Sequence, residues 1–298
     1  MNGPDWIAVD WGTSRLRAWA MSGGRATEER ASDAGMATLE REGFEAALLD
    51  LVGDWLDSGP VDVVACGMVG SRQGWVEAPY RPVPCPPLGD GMATAPVRDA
   101  RLRVRVVAGL MQADPPDVMR GEETQIAGLL AKRPGFDGTL CLPGTHTKWV
   151  RVSAGEVVGF RTCMTGELYA LAAERSVLRH SVDDGWDEAA FAEAVADGLA
   201  RPEQLAARFF AVRAEALLTG LGPGVGRARL SGTLIGAELA ATRGWWLGTE
   251  VVIVGGRAQA AAYRAALAPQ GVAAGVEDAG EMTLLGLAAA HGAPRETA

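Results

Sequence analysis

The chain has 298 residues, a net charge of −9, 48% hydrophobic and 22% charged side chains. That is ordinary globular composition, with length for two cores of roughly 130 to 160 residues, and it excludes intrinsic disorder. The acidic balance and the lack of a clustered basic face exclude a nucleic-acid partner, because gripping a phosphate backbone needs one. Cys66, Cys85, Cys141 and Cys163 form no CxxC pair, so neither a zinc site nor a disulfide framework is indicated, and a reducing compartment is expected. No basic and apolar leader precedes Trp6 and no apolar run approaches membrane-spanning length, so the expectation is a cytoplasmic protein with no membrane partner.

Trp6 to Asp10 is a short apolar run, Asp10-Trp-Gly-Thr-Ser14 a turn, and Arg15 to Met21 alternates with period two; this predicts strand, turn and strand. Ser22-Gly23-Gly24 predicts a second turn and Arg25 to Arg30 a third, antiparallel strand. From Phe44 the apolar positions Ala47, Leu48, Leu51, Val52, Trp55 and Leu56 recur at helical spacing until Ser58-Gly59-Pro60. Val61 to Cys66 and Arg103 to Ala108 read as buried strands, and the proline-rich stretch Pro79 to Pro87 as loop. Glu122 to Lys132 is a helix stopped by Pro134-Gly135, and Thr139 to Leu142 starts a second strand, turn, strand unit with its turn at Pro143 to Lys148. Leu168 to about Leu221 reads as consecutive helices, broken near Asp183-Asp184-Gly185 and at Pro202. Val251 to Val254 is a buried strand ending in Gly255-Gly256, an alanine-rich helix follows, and Met282 to His291 closes as a helix. The partial duplication, Gly12-Thr13 with Arg15 against Gly144-Thr145 with Lys148, predicts two domains, 1–131 and 132–298, the second with a helical insertion at about 165–225.

Glycine-containing turns let backbone N–H groups approach anionic oxygens closely. In the first turn Gly12 permits the bend, Thr13 and Ser14 are hydroxyl donors, Arg15 a neutralising charge, and Asp10 a ligand for Mg²⁺ through water. Asp and Gly also mark plain hairpins, so this turn alone does not separate the two readings. The second turn offers Gly144, Thr145, His146, Thr147 and Lys148, one of only two lysines in the chain. Two such turns facing one another would clasp a triphosphate. No Gly-Lys pair occurs and no GxGxxG follows a strand, which disfavours P-loop and Rossmann folds; Gly222 to Gly226 reads as a loop between helices.

In order, WIAVDWGTSRLRAW (6–19), ACGMVGSRQGWVEAPY (65–80), DVMRGEETQIAGLL (117–130), LPGTHTKWV (142–150), MTGELYAL (164–171), LSGTLIGAEL (230–239) and VVIVGG (251–256) span nearly the whole chain. Together they resemble the 2-dehydro-3-deoxygalactonokinase family of the actin/hexokinase (ASKHA) superfamily. The resemblance implies an α/β fold of two ribonuclease-H-like domains with mixed sheets flanking a central cleft. It also implies ATP and Mg²⁺ as cofactors and transfer to the 6-hydroxyl of 2-dehydro-3-deoxy-D-galactonate.

Phosphoryl transfer needs a carboxylate that orients the attacking hydroxyl and accepts its proton. Glu122 and Glu123 are the candidates. Similarity to the Gly-Glu-Glu element of the exopolyphosphatase branch favours Glu122, while acidic residues also simply suit a first helical turn. A sugar acid calls for an arginine, here Arg72 or Arg120, with Gln73 as a hydrogen-bonding partner and Trp75 as a stacking face; Arg72 also reads as an ordinary surface arginine. Thr165 and Glu167 either touch substrate or cap the helix that follows, and Gly255 and Gly256, opposite Gly232 and Thr233, suit adenosine. Pro143 stands where many members of the wider superfamily carry an acidic residue, which leaves the metal to Asp10. The rivals are an exopolyphosphatase-like phosphatase, a kinase for another sugar or sugar acid, and a nucleotide-dependent regulator. The expected partners are ATP and a small sugar acid, with a homo-oligomer left open.

Overall fold

The computed structural model describes residues 3–56 and 59–292, so the predicted helix stop at Ser58 lies outside the described residues. The chain forms two compact units. One runs through Phe136 and adds Val152–Gly159 and the segment from Ala279; the other comprises Asp137–Arg151 and Phe160–Asp278.

In the first unit β1 (Trp6–Trp11), β2 (Leu16–Ser22) and β3 (Arg25–Ser32) form an antiparallel meander, followed by α1 (Phe44–Val52) and β4 (Val61–Cys66). Next come β5 (Tyr80–Pro82), β6 (Ala93–Thr94), β7 (Leu102–Val106), β8 (Gly109–Gln112), β9 (Asp117–Met119) and α2 (Glu122–Lys132). The main sheet has the order β3-β2-β1-β4-β7-β6, with β4 parallel to β1 and β7 parallel to β4. Strands covered on both faces need apolar side chains throughout, which is why β1 and β4 read as continuous hydrophobic runs. The edge strand β3, RATEERAS, is exposed and charged, a composition that discourages pairing with another chain.

The second unit contains β10 (Gly138–Leu142), β11 (Thr147–Ser153), β12 (Glu156–Cys163), α3 (Thr165–Ala170), α4 (Glu188–Ala200), α5 (Leu205–Leu218), α6 (Val225–Ala241) and α7 (Arg243–Trp246). Then follow β13 (Val251–Gly255), α8 (Arg257–Leu267) and β14 (Gly275–Asp278). Its sheet order is β12-β11-β10-β13-β14, with β13 parallel to β10 and β14 parallel to β13. The link Pro143–His146 is too short for the crossover that parallel neighbours require, so β10 and β11 are a hairpin. Each unit therefore has the same plan: a hairpin meander, then two strands parallel to the first. This is the mixed-sheet, ribonuclease-H-like α/β architecture that the sequence implied.

Three expectations need correction. The stretch 79–87 is not all loop: Tyr80–Pro82 is a strand paired with β8 in a small sheet β5-β8-β9, where its edge position tolerates Pro82. The division does not fall near residue 131 with everything after it in one unit. The closing helix α9 (Ala279–Gly292) packs on α2 and β1 of the first unit. The approach is so tight that a Cβ at Gly128 would collide with the Met282 carbonyl, and one at Gly286 with the Thr124 carbonyl. Finally, Val225 and Gly226 are not loop residues but the first turn of α6. No helix among the described residues is long and apolar enough to cross a membrane.

Candidate active site

In the first unit the chemistry gathers at the C-terminal ends of β1 and β4. Asp10 pairs with Arg17 directly across the β1–β2 register, Oδ2 to Nη2 2.5 Å. Arg17 is a site residue that the sequence reading missed; counting the hairpin register outward from Gly12–Arg15 would have found it. Gly67, after β4, holds φ +92°, and a Cβ there would come within 2.8 Å of the Trp11 carbonyl and 3.5 Å of Asp10 Oδ1. Gly121, at the start of α2, holds φ +106° and would place a Cβ 3.3 Å from the Gly67 Cα. Two glycines in a conformation that side chains disfavour thus bring the α2 N-terminus against the strand ends that carry Asp10.

The paired glutamates of α2 differ in setting. Glu122 is partly exposed and accepts the Arg120 amide, N–H to Oε2 3.0 Å. Glu123 is 0% exposed and accepts the Gly121 amide at 2.7 and 2.9 Å. Burial, then the neighbouring Glu122 charge, pushes the Glu123 carboxyl up to about 8. Glu123 is therefore an internal fastening of the helix start, out of reach of an attacking hydroxyl as the chain stands.

The first turn is exposed at Thr13, Ser14 and Arg15, while its carbonyls are taken: Met36 N–H donates to Gly12 O at 3.0 Å and Ala37 N–H to Thr13 O at 2.9 Å. Arg15 points into solvent, 3.6 Å from Asp33. In the following loop Arg72 and Gln73 are exposed, and the Arg72 carbonyl accepts from Arg41 Nη2 at 2.6 Å. Trp75 does not offer a stacking face. It is 3% exposed, sits edge-on to Trp11 with centroids 6.0 Å apart, and donates to the Pro96 carbonyl at 3.1 Å. It belongs to the core because its indole is the filler between β1 and α1. Arg120 is 8% exposed, lies 4.2 Å from the Tyr80 ring and donates through Nη2 to Ala78 O at 2.7 Å. Its Nε and Nη1 find no hydrogen-bond partner among the described residues.

In the second unit a hollow of about 540 Å³ opens beside the second turn, lined by Gly144, Thr145, Thr147, Thr165 and Gly166, and by α6 and α8 residues including Ser231, Gln259 and Tyr263. Gly144 and Thr145 reach it; His146 and Lys148 are not among its lining. His146 Nε2 lies 2.5 Å from Glu167 Oε2. Lys148, 4% exposed, follows Thr147 on a strand whose side chains alternate, so it falls on the opposite face and donates to the His146 carbonyl at 3.3 Å. Thr147 is buried with its hydroxyl 2.8 Å from Tyr263 OH, and Thr165 is buried against Glu238. Gly255 is buried beside Pro143, whereas Gly256 is exposed at the start of α8. Gly232 lies inside α6, where a Cβ would meet the Phe191 carbonyl of α4 at 2.6 Å; a helix crossing accounts for that glycine. Thr233 is buried and lines a different, smaller hollow between α4 and α5.

Two sheets of identical order, each with a turn after its first strand, and an acidic helix start beside one of them, define an α/β protein of the actin/hexokinase class. The sequence profile of the 2-keto-3-deoxy-galactonokinase family matches residues 10–290. A relative from Rhizobium meliloti (strain 1021), provisionally named as the 2-dehydro-3-deoxygalactonokinase DgoK1, is 40% identical over 295 residues, covering 96% of each chain. The 2-dehydro-3-deoxygalactonokinase of Escherichia coli (strain K12) is 36% identical over 270 residues, 89% of this chain and 90% of its own. A crystal structure from Sinorhizobium meliloti, provisionally assigned the same activity, matches with a TM-score of 0.90 at 38% identity over 98% of both chains. This chain belongs to the 2-keto-3-deoxy-galactonokinase family and is a kinase, which decides against the phosphatase and regulator readings.

Proposed function

We propose that the chain transfers the γ-phosphate of ATP to the 6-hydroxyl of 2-dehydro-3-deoxy-D-galactonate, giving the 6-phosphate and ADP. The family match over residues 10–290 carries the substrate class, and the Asp10, Gly67, Gly121 corner supports the chemistry. In this reading Glu122 accepts the proton of the 6-hydroxyl as its oxygen attacks the γ-phosphorus, and the bond to the ADP oxygen breaks. The amides and hydroxyls of Gly12, Thr13 and Ser14, and separately those of Gly144 and Thr145, bind phosphate oxygens. The hollow beside the second turn, with Gly256 at the α8 start, takes the nucleoside.

Phosphoryl transfer implies Mg²⁺. Among the described residues no cluster of three or more His, Cys, Asp or Glu side chains converges, while Asp10 offers a partly open carboxylate. That suits Mg²⁺, which keeps several waters and takes one or two carboxylates plus substrate phosphates. When bound, the ion would neutralise charge on the phosphate oxygens.

Arg120 is the anchor for the sugar-acid carboxylate, with Arg72 and Gln73 at the rim. The two unpartnered nitrogens of Arg120 support this role, since a buried guanidinium leaves donors unmet only at a cost that a carboxylate removes. An entering carboxylate reaches them by displacing the Tyr80 ring. All four cysteines are free thiols, which suits the cytoplasm. The test is ADP release measured across 2-keto-3-deoxy acids, simple aldonates and neutral hexoses. Turnover highest on the 2-keto-3-deoxy acids is expected, and rapid turnover confined to a neutral hexose would overturn the assignment.

A further inference from the structure

Glu238 is 5% exposed, in the middle of α6, and is not part of the hollow's lining. An isolated carboxylate in such a place is costly unless donors surround it. Here three do: Trp149 Nε1 donates to Oε1 at 2.7 Å, Tyr263 OH to Oε2 at 2.9 Å, and Thr165 Oγ1 also to Oε2. They come from three other elements, β11, α8 and the first turn of α3.

Two of these bonds lead on to the second turn. A carboxylate only accepts, so Tyr263 spends its proton on Glu238 and its oxygen receives that of Thr147, 2.8 Å away; this fixes the residue with which β11 leaves the turn. Through Thr165, Glu238 holds the start of α3. There the Glu167 amide donates to the Thr145 carbonyl at 2.9 Å, and Gly166 packs so closely on the Gly144 carbonyl that a Cβ would collide with it. The turn is thus held from both ends through one buried side chain, and the threonine that the sequence offers as a phosphate donor, Thr147, is committed to the support instead.

We propose that Glu238 is a positioning residue for the phosphate-binding turn at Gly144–Thr145, acting through Tyr263–Thr147 on one side and Thr165–Glu167 on the other. The inference rests on the reading of that turn as part of the nucleotide site. A group that merely fills the core would affect all substrates alike through lost stability. A group that sets the turn acts on the nucleotide.

The experiment measures ADP binding by calorimetry, together with kcat and the KM values for ATP and for the sugar acid. Glu238→Gln is expected to raise the KM for ATP and weaken ADP binding by about tenfold, with the KM for the sugar acid within about twofold of the parent. Tyr263→Phe and Thr165→Val each cut one arm and are expected to give part of the same effect; they also serve if Glu238→Gln fails to fold. Unchanged ADP affinity in these folded variants, or equal weakening toward both substrates, overturns the inference alone. An unmodified protein that binds no ADP overturns the nucleotide reading itself.

Discussion

Asp10 and Arg17 occupy directly opposed positions on β1 and β2, and the guanidinium holds one carboxylate oxygen at 2.5 Å while both side chains stay partly open to solvent. Arg17 thus orients Asp10 and also competes with any cation that approaches it. Replacing Arg17 with Met removes both effects. The half-saturating Mg²⁺ concentration is expected to fall severalfold while kcat falls about tenfold, because the carboxylate loses its anchor. A Mg²⁺ titration of activity separates the two.

Glu122→Gln removes the proton acceptor without changing size. A fall in kcat of roughly 10²- to 10⁴-fold is expected, with ADP affinity unaltered. Steady-state kinetics beside calorimetric ADP binding checks it, and near-normal turnover would move the role to another group.

Glu123 makes a pH prediction. Its folded pKa of about 8 lies above the ordinary carboxylate value, first because of burial and then because of Glu122. The folded chain therefore binds a proton that the unfolded chain releases near pH 4.5. The stabilisation is complete below that pH and is lost as pH rises toward about 8, by on the order of a few kcal/mol. Denaturant unfolding of the parent should show stability declining from pH 5 to 8 relative to Glu123→Gln, whose side chain carries no titrating proton.

Trp75→Ala is expected to lose about 3–5 kcal/mol of stability, since it empties a site packed against Trp11 and Phe44. Trp75→Phe loses less and should leave the KM for the sugar acid unchanged. Urea melts and substrate titrations decide whether the indole is core filler, as the packing has it, or a sugar platform.

Gly67→Ala forces a side chain into φ +92° and against the Trp11 carbonyl. A loss of about 1–3 kcal/mol is expected, together with a fall in kcat larger than that of a remote variant of equal stability. Comparing it with Gly135→Ala, also at positive φ but with open space around it, separates strain at the site from strain alone.

The local signals carried far. Period-two alternation places β1 and β2, apolar continuity places β4, β10 and β13, and the helix over 122–132 has the bounds expected from its flanking Gly121 and Pro134. Asp10, Glu122 and the Gly144–Thr145 turn were visible because each sits in a short motif. What escaped depends on distant pairings. The sheet β5-β8-β9 is made of strands three or four residues long, interrupted by prolines, and exists only because Tyr80–Pro82 meets Gly109–Met111. Trp75 resembles a ligand platform in sequence because it follows a polar loop, and only the arrangement of Trp11 and Phe44 shows it as core. Gly232 reads as a turn residue when the facing helix is unseen. Glu238 carries no local mark at all, since its meaning comes from Trp149, Thr165 and Tyr263.

The return of α9 to the first unit reverses the usual relation between synthesis and maturation. Residues 137–278 can complete their own core while the last helix is still inside the ribosome. The unit begun first must wait, with the groove beside Gly128 uncovered, until Met282 and Gly286 emerge to fill it. The oldest part of the nascent chain is therefore the last to close.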